Sequence, residues 1–402
     1  RRSQSHGAAR IPLGRIRTLT HNLKRASGGL GMSILACSSP AGSRRPLARP
    51  RSLMTRLRSR RAFLKSSFAA ALALSTKAGF AADTRTSSAD AAGWIKSQNN
   101  PILSLGRAGE FDSQNIFAPA IVKERGKYFL FYAGGPSGPA NGGDFVRYQL
   151  GLALSDDGTH FVKRGKPLLQ LGKRDNFHAT PALLRNPAGN LHKIDGRWQM
   201  VYCGNRADDV ELATSDDGLD WTKEEGSPIY RGAYAPNLVQ AGDELRMYYV
   251  HKPRPGADGR TPPWEIHLAT GRDLRSLQPH SNNPMLSIAQ PWERGALFYP
   301  YVLREDDTWI MFYAAYWAGQ PDGVQRTAIG MALSRDGIDW NRYGGNPVLT
   351  PDPSGEFDSH YTSSQSVIRD GDGYAMFYAS RIDRRHKYYA ICKAVKRGRL
   401  AS

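Results

Sequence analysis

Five stretches of this chain align without a gap on a single tyrosine: KYFLFYAGG, RWQMVYCGN, ELRMYYVHK, TWIMFYAAY and GYAMFYASR. The aligned residues are Tyr132, Tyr202, Tyr249, Tyr313 and Tyr378, and two positions earlier stand Leu130, Met200, Met247, Met311 and Met376. Side chains of a strand alternate between faces, so both columns belong to one face of a repeated strand. Each stretch follows a short apolar run (PAIV, PALL, PNLV, PYVL, QSVI). A third run follows in turn, as in LGLALSDDG, VELATSDDG and IGMALSRDG, and KPLL, SPIY, NPML or NPVL closes the unit. Four strands per unit, recurring about every 60 residues, predict an all-β fold, a five-bladed β-propeller with four-stranded blades.

The fifth unit runs out after its third strand, KYYAICKAV. Its missing partner is at the other end of the repeat. NPILSLGRAGEFDSQNIFAPAIV, from Asn100, matches NPVLTPDPSGEFDSHYTSSQSVI, from Asn346. The N-terminal strand NPIL (Asn100–Leu103) is therefore expected to pair into blade five and close the ring, removing an edge that would template aggregation. The doubled GEFDS marks that seam.

The formal charge of +19 suggests a nucleic-acid or membrane-surface partner, but it is confined to the leader. Residues 1–82 carry 17 Lys and Arg, and the first acid is Asp83. Taking those from the total of 55 leaves 38 basic against 36 acidic residues. No basic face is expected on the folded part, and nucleic acid is set aside. Within the leader, SRRAFLK (Ser59–Lys65), an apolar run and KAGFAAD resemble a twin-arginine export signal with Arg60 and Arg61 as the pair and cleavage near Ala81 or Ala82. The apolar run is too short to anchor the protein in a bilayer. The rival ILAC (Ile34–Cys37) has a shorter apolar stretch. The domain reading is 1–53 as an upstream extension, 54–82 as signal, 83–97 as linker and 98–398 as propeller, in a periplasmic or secreted monomer. Cys203 and Cys392 make no disulfide framework and read as buried hydrophobes.

Chemistry is expected on the loops at one end of the channel. The loops leading into the innermost strands place an aromatic before an acid at Phe111–Asp112, Trp292–Glu293 and Phe357–Asp358. Blade two offers Asp175 and His178 there, and blade three Arg231 and Tyr234. A feature repeated in three blades is often a turn device, with the acid bonded to backbone amides. Converging carboxylates are also what glycosidic chemistry requires. A second set of loops supplies Arg206, Asp208, Asp209 and Glu211; His251, Lys252, Arg254 and Glu265; Trp317, Asp322 and Arg326; and Arg381, Asp383 and His386. Solvated loop charge is the plain account of any one of these. The candidate catalytic residues are Asp112 and Glu293 as acid and base or nucleophile, with Asp358 or Asp209 tuning them. Arg206, Arg326 and His178 are candidates for binding hydroxyls or an acidic sugar. Tyr234, Tyr299, Trp317 and Tyr361 are candidates for stacking on sugar faces. The turns Ser155–Phe161, Ser215–Trp221 and Ser334–Trp340 read as hairpin punctuation.

The combination of NPVL…GEFDS…V, Y-x-M-F-Y-A and IGMALSRDGIDW resembles the five-bladed glycoside hydrolase superfamily, over residues from about 98 to 396. That group includes families 32, 43, 62 and 68 and the mannoside phosphorylases of family 130. The resemblance implies an exported, exo-acting glycoside hydrolase on an oligosaccharide or glycoside. A glycoside phosphorylase and a non-catalytic sugar-binding propeller are the alternatives. No cofactor is implied, beyond a divalent ion that the central channel has room for. Families 32 and 43 place an Asp before the Pro of the first inner strand, and this chain has Ala118 there, with Thr180, Ala235 and Tyr299 in the later blades.

Overall fold

Each tyrosine-centred segment is the second strand of an antiparallel unit in a computed structural model. The model describes residues 93–135, 147–172, 177–204, 208–317, 323–382 and 390–401. The leader with both export motifs lies outside the described residues. Among the described residues there is no helix, and the strands form four hydrogen-bonded sheets, the nine-stranded one joining two antiparallel units through the Thr327–Tyr361 pair. Blade one is Asn115–Glu124, Lys127–Gly135, Gln149–Ser155 and Val162–Lys163. Blade four has the longest strands, Glu293–Glu305, Thr308–Trp317 and Arg326–Ser334, with Asn341–Arg342 outside them. The innermost strands of the other blades are His178–Leu183, Tyr234–Ala241 and Tyr361–Asp370. Each innermost strand packs against the next and the last against the first, which closes the ring.

Both columns of the repeat are core, as alternation requires. Leu130 and Tyr132 pack in the layer between blades one and five, Met200 and Tyr202 between blades two and one, and Met376 and Tyr378 between blades five and four. Cys203 and Cys392 are free and buried, and burial pushes their thiols up to about 11 and about 12. Both therefore behave as small apolar side chains.

The seam forms as the doubled sequence predicts, with two strand pieces. Leu103 pairs with Ile391 and Ser104 with Ala390, while Ile95 and Lys96 pair with Val395 and Ala394 further along the same strand, Ala390–Arg397. The asparagine of the NP motif explains why this run pairs. Asn100 Oδ1 accepts the Lys393 amide at 2.7 Å and its Nδ2 donates to the Lys393 carbonyl at 3.0 Å. Asn283 does the same with Leu268, and Asn346 with Met331. The amide side chain substitutes for a backbone rung where the proline has no N–H to give.

The hairpin turns are punctuation, as their repetition suggests. Ser155 Oγ accepts the Gly158 amide at 2.9 Å, and Asp157 Oδ1 accepts those of Thr159 and His160 at 2.8 Å. Ser215–Asp217 and Ser334–Asp336 repeat the pattern. Local bonds of this kind satisfy the amides of a tight turn.

Each innermost strand carries one irregularity at the same register. Ala118, Thr180, Ala235, Tyr299 and Ser364 have φ of 49°, 49°, 48°, 54° and 55°, each within a shift in strand pairing. A left-handed non-glycine residue costs roughly 1–3 kcal/mol where the structure enforces it. All five line the central channel. The position at which the resemblance would place an aspartate is thus a bulge at the channel wall, occupied here by side chains without a carboxylate.

Candidate active site

The three aromatic–acid pairs resolve into a single device. Asp112 Oδ2 accepts from the Tyr132 hydroxyl at 2.8 Å and from Lys163 Nζ at 2.6 Å. Asp358 Oδ2 accepts from Tyr378 at 3.1 Å and Lys96 at 2.7 Å. Glu293 accepts from Tyr313 and from Arg342 Nε, both at 2.7 Å, and its second oxygen takes the Ala289 and Gln290 amides at 2.8 and 3.1 Å. The tyrosine is the repeat tyrosine in every case. The cation sits on the outermost strand, opposite Ala153, Ala332 or Ala394. The preceding aromatic lies flat on the tyrosine: Phe111 at 6.2 Å from Tyr132 and Trp292 at 5.9 Å from Tyr313. Glycine makes room across the strand pair, since a Cβ on Gly151 would fall 2.4 Å from Tyr132 Cζ and one on Gly330 2.7 Å from Trp292.

Burial alone would raise the Glu293 carboxyl. Arg342, the Ala289 amide, Tyr313 and the Gln290 amide outweigh it, and its pKa is lowered. Burial first and the carboxylate second raise Tyr132 and Tyr313. Blade two builds a variant from another position: Glu211, opposite Tyr202 on the third strand, lies 3.1 Å from Lys223. Asp112, Glu293 and Asp358 therefore bond inside their own blades, and none is bonded to another. Each is a lock between the repeat tyrosine and an outer-strand cation, only Glu293 also takes backbone amides as a turn device would, and no bond joins Asp112 to Glu293.

Three of the four aromatic candidates, Tyr234, Tyr299 and Tyr361, converge. Tyr234 and Tyr299 share a hydroxyl contact of 2.9 Å, with ring centres 5.8 Å apart. Trp264 adjoins Tyr234 at 6.1 Å, Phe298 adjoins Tyr299 at 5.6 Å, Tyr316 adjoins Phe298 at 5.3 Å and Tyr361 adjoins Tyr316 at 6.4 Å. The result is an aromatic arc across blades three, four and five. Trp264, Tyr234, Tyr299 and Tyr316 are only partly buried and remain accessible for stacking. A cation caps each end: Lys252 Nζ lies 3.6 Å from the Tyr234 centroid and the Arg381 guanidinium 3.2 Å from that of Tyr361. Burial lowers the Lys252 pKa, opposed by Cys203 and Asp208.

Blade two contributes polar groups to the same rim. His178, Gly204, Asp209 and Arg231 form one row across its strands. Asp209 is buried and pairs at 3.0 Å with Arg231, whose side chain is 69% exposed, so solute reaches the pair from the arginine side. His178 is buried edge-on against Tyr202. In blade four, Arg326 Nε donates to the Ser359 carbonyl at 3.1 Å, opposite Trp317, and neither joins the arc. Arg206, Asp175, Asp322, Asp383 and His386 lie outside the described residues. His251 stacks on His267 at 4.5 Å, and Glu265 accepts from Ser287 at 2.6 Å. No group of three or more His, Cys, Asp or Glu suited to a metal occurs among the described residues. Trp264, Phe298 and Tyr316 were not legible from the repeat, because they lie beyond its aligned columns.

No family profile matches the chain. It is 25% identical over 226 residues to a 1,2-beta-oligomannan phosphorylase of Thermoanaerobacter sp. (strain X514), covering 54% of this chain and 70% of that one. It is 23% identical over 247 residues to an uncharacterised protein of Mycobacterium tuberculosis (strain ATCC 25618 / H37Rv), covering 58% and 76%. Among solved structures, a glycoside hydrolase superposes with a TM-score of 0.61 at 18% identity, covering 74% of this chain and 92% of that chain. A structure from a study of the family 130 mannoside phosphorylases, which contain hydrolases of beta-1,2 mannosidic linkages in Candida mannan, superposes with a TM-score of 0.59 at 16% identity, covering 77% and 97%. The resemblance to the propeller glycoside hydrolases thus holds at the level of the fold.

Proposed function

We propose that the protein cleaves a glycoside whose sugar stacks on the aromatic arc, transferring the glycosyl group to phosphate. The observation that carries this reading is the arc itself, which holds four accessible rings and carries a cation on Tyr234 and another on the buried Tyr361 at its far end. Aromatic faces bind the apolar faces of sugar rings, and the cations supply charge for an oxyanion. Hydrolysis requires two carboxylates, one to protonate the leaving oxygen and one to activate water or attack. Three of the four nominated carboxylates are held in blade locks. Phosphorolysis requires one acid only: a phosphate oxygen attacks the anomeric carbon as the acid protonates the departing oxygen. We assign that role to Asp209, whose ion-pair partner Arg231 is exposed, unlike the shielded cations of the three locks. It follows Asp208, whose charge acts on Lys252 at the end of the arc. The phosphorylase among the curated relatives supports the same reading, and its name suggests a β-1,2-linked mannoside as the first substrate to try. We infer export from the SRRAFLK stretch, which resembles a twin-arginine signal.

The test incubates the full chain with β-1,2-linked manno-oligosaccharides and aryl glycosides, with and without inorganic phosphate. Anion exchange then detects any sugar 1-phosphate. Phosphate-dependent release is expected, with Asp209→Asn lowering kcat by roughly 100-fold or more and Tyr234→Ala raising KM. Reducing sugar released equally without phosphate would make the protein a hydrolase, and binding without turnover a sugar-binding propeller.

A further inference from the structure

The central channel holds a charged group that the rim chemistry does not use. Arg185 follows the innermost strand of blade two and is 2% exposed. Its guanidinium lies 4.0 Å from the Tyr301 ring centre, and Nη2 reaches the Val302 carbonyl at 3.5 Å. Nη1 has no hydrogen-bond partner. Among the described residues no carboxylate lies within the 4 Å of an ion pair with Arg185, and no acid lines the channel. A buried cation without a counter-charge is costly, and proteins retain one where something compensates it.

The channel is equipped to do so. Its free volume is about 40 Å³, against the roughly 10–15 Å³ that admits one water-sized sphere. Two further donors line it. Asn237 spends Oδ1 on the Val302 amide, which leaves its Nδ2 hydrogens for the channel. Ser364 Oγ is buried and has no partner. Gln365 commits Nε2 to the Tyr299 carbonyl, and its Oε1 calls for a water beside an anion. From the buried Arg185 guanidinium, which has no counter-charge and an unpartnered Nη1, facing an acid-free channel with polar groups along it, we infer that the channel binds a monatomic monovalent anion of the halide class. The ion neutralises Arg185 and ties the innermost strands of blades two, three and five together. It is a structural site, separate from glycoside turnover.

The experiment uses the full chain at constant ionic strength, with sodium gluconate replaced stepwise by sodium chloride or bromide. A saturable rise in Tm of about 5 °C is expected with either halide, absent in Arg185→Met. Ser364→Ala keeps the fold, because Ala118 and Ala235 occupy the same backbone conformation in their own blades. It is expected to shift the halide midpoint several-fold upward, and it serves as the variant if Arg185→Met does not fold. Crystals soaked in bromide should give an anomalous peak beside Arg185. A wild-type Tm that does not respond saturably to halide, or bromide found only at the surface, overturns the inference.

Discussion

Replacing Arg342 by methionine separates a lock from a catalytic acid at Glu293. The Glu293 side chain is 0% exposed and that of Arg342 14%, so solvent screens the pair little. Removing one member of a buried pair costs about 3–5 kcal/mol, because the remaining charge is left without its partner. Three donors to Glu293 survive the change, the Tyr313 hydroxyl and the Ala289 and Gln290 amides, which places the loss near the lower end, at about 3 kcal/mol. For a domain of this size that is a fall in Tm of about 5 °C. The pH dependence supplies the sign. In the parent, Glu293 is depressed below its ordinary value of 4.5, so its contribution is complete above that value and is lost as pH falls through the native value. In Arg342→Met burial stays and the largest lowering cause is gone, so the native pKa rises relative to the parent and the stability gap between variant and parent narrows as pH falls through the carboxylate range. Denaturant melts from pH 4 to 8 measure both slopes. Glu293→Gln run beside it should lose stability and keep turnover at temperatures where it is folded. A stable Glu293→Gln without activity, or Arg342→Met within about 1 kcal/mol of the parent, refutes the lock.

Deleting residues through Leu105 removes both strand pieces that cover Ala390–Arg397, together with Trp94, which is 1% exposed against Phe312. Aggregation or a much lower Tm is expected, whereas a cut before Gly93 should melt like the parent; light scattering and calorimetry compare them. Gly151→Ala drives a methyl into the Tyr132 ring and should cost about 1–3 kcal/mol, while Gly259→Ala, with no neighbour within 4 Å but a φ of 74°, should cost about 1 kcal/mol from backbone strain alone; urea melts rank the two. Arg60→Lys with Arg61→Lys is expected to hold folded protein in the cytoplasm, and cell fractionation showing normal export would remove the twin-arginine reading.

Repetition made the fold legible before any coordinates. Five copies of one strand pattern fix face and register, because alternation allows a run of apolar residues only one burial solution. The seam was legible for the same reason: the fifth unit stops after its third strand, and the run at Asn100 repeats the fourth-strand motif seen at Asn346. Repetition also misdirected the search for chemistry. Asp112, Glu293 and Asp358 recur because the same tyrosine and the same outer-strand cation recur, and a lock needed in every blade leaves a stronger trace than a site needed once. What only the tertiary structure decided was convergence. Trp264 comes from an insertion, Tyr234 and Tyr299 from the innermost strands of blades three and four, Tyr316 from the second strand of blade four and Tyr361 from the innermost strand of blade five. They meet because ring closure turns successive blades about one axis, and no spacing along the chain records that rotation. Arg185 is the same case: in sequence it is one arginine after an apolar run, and only the closed channel shows that its charge has no partner.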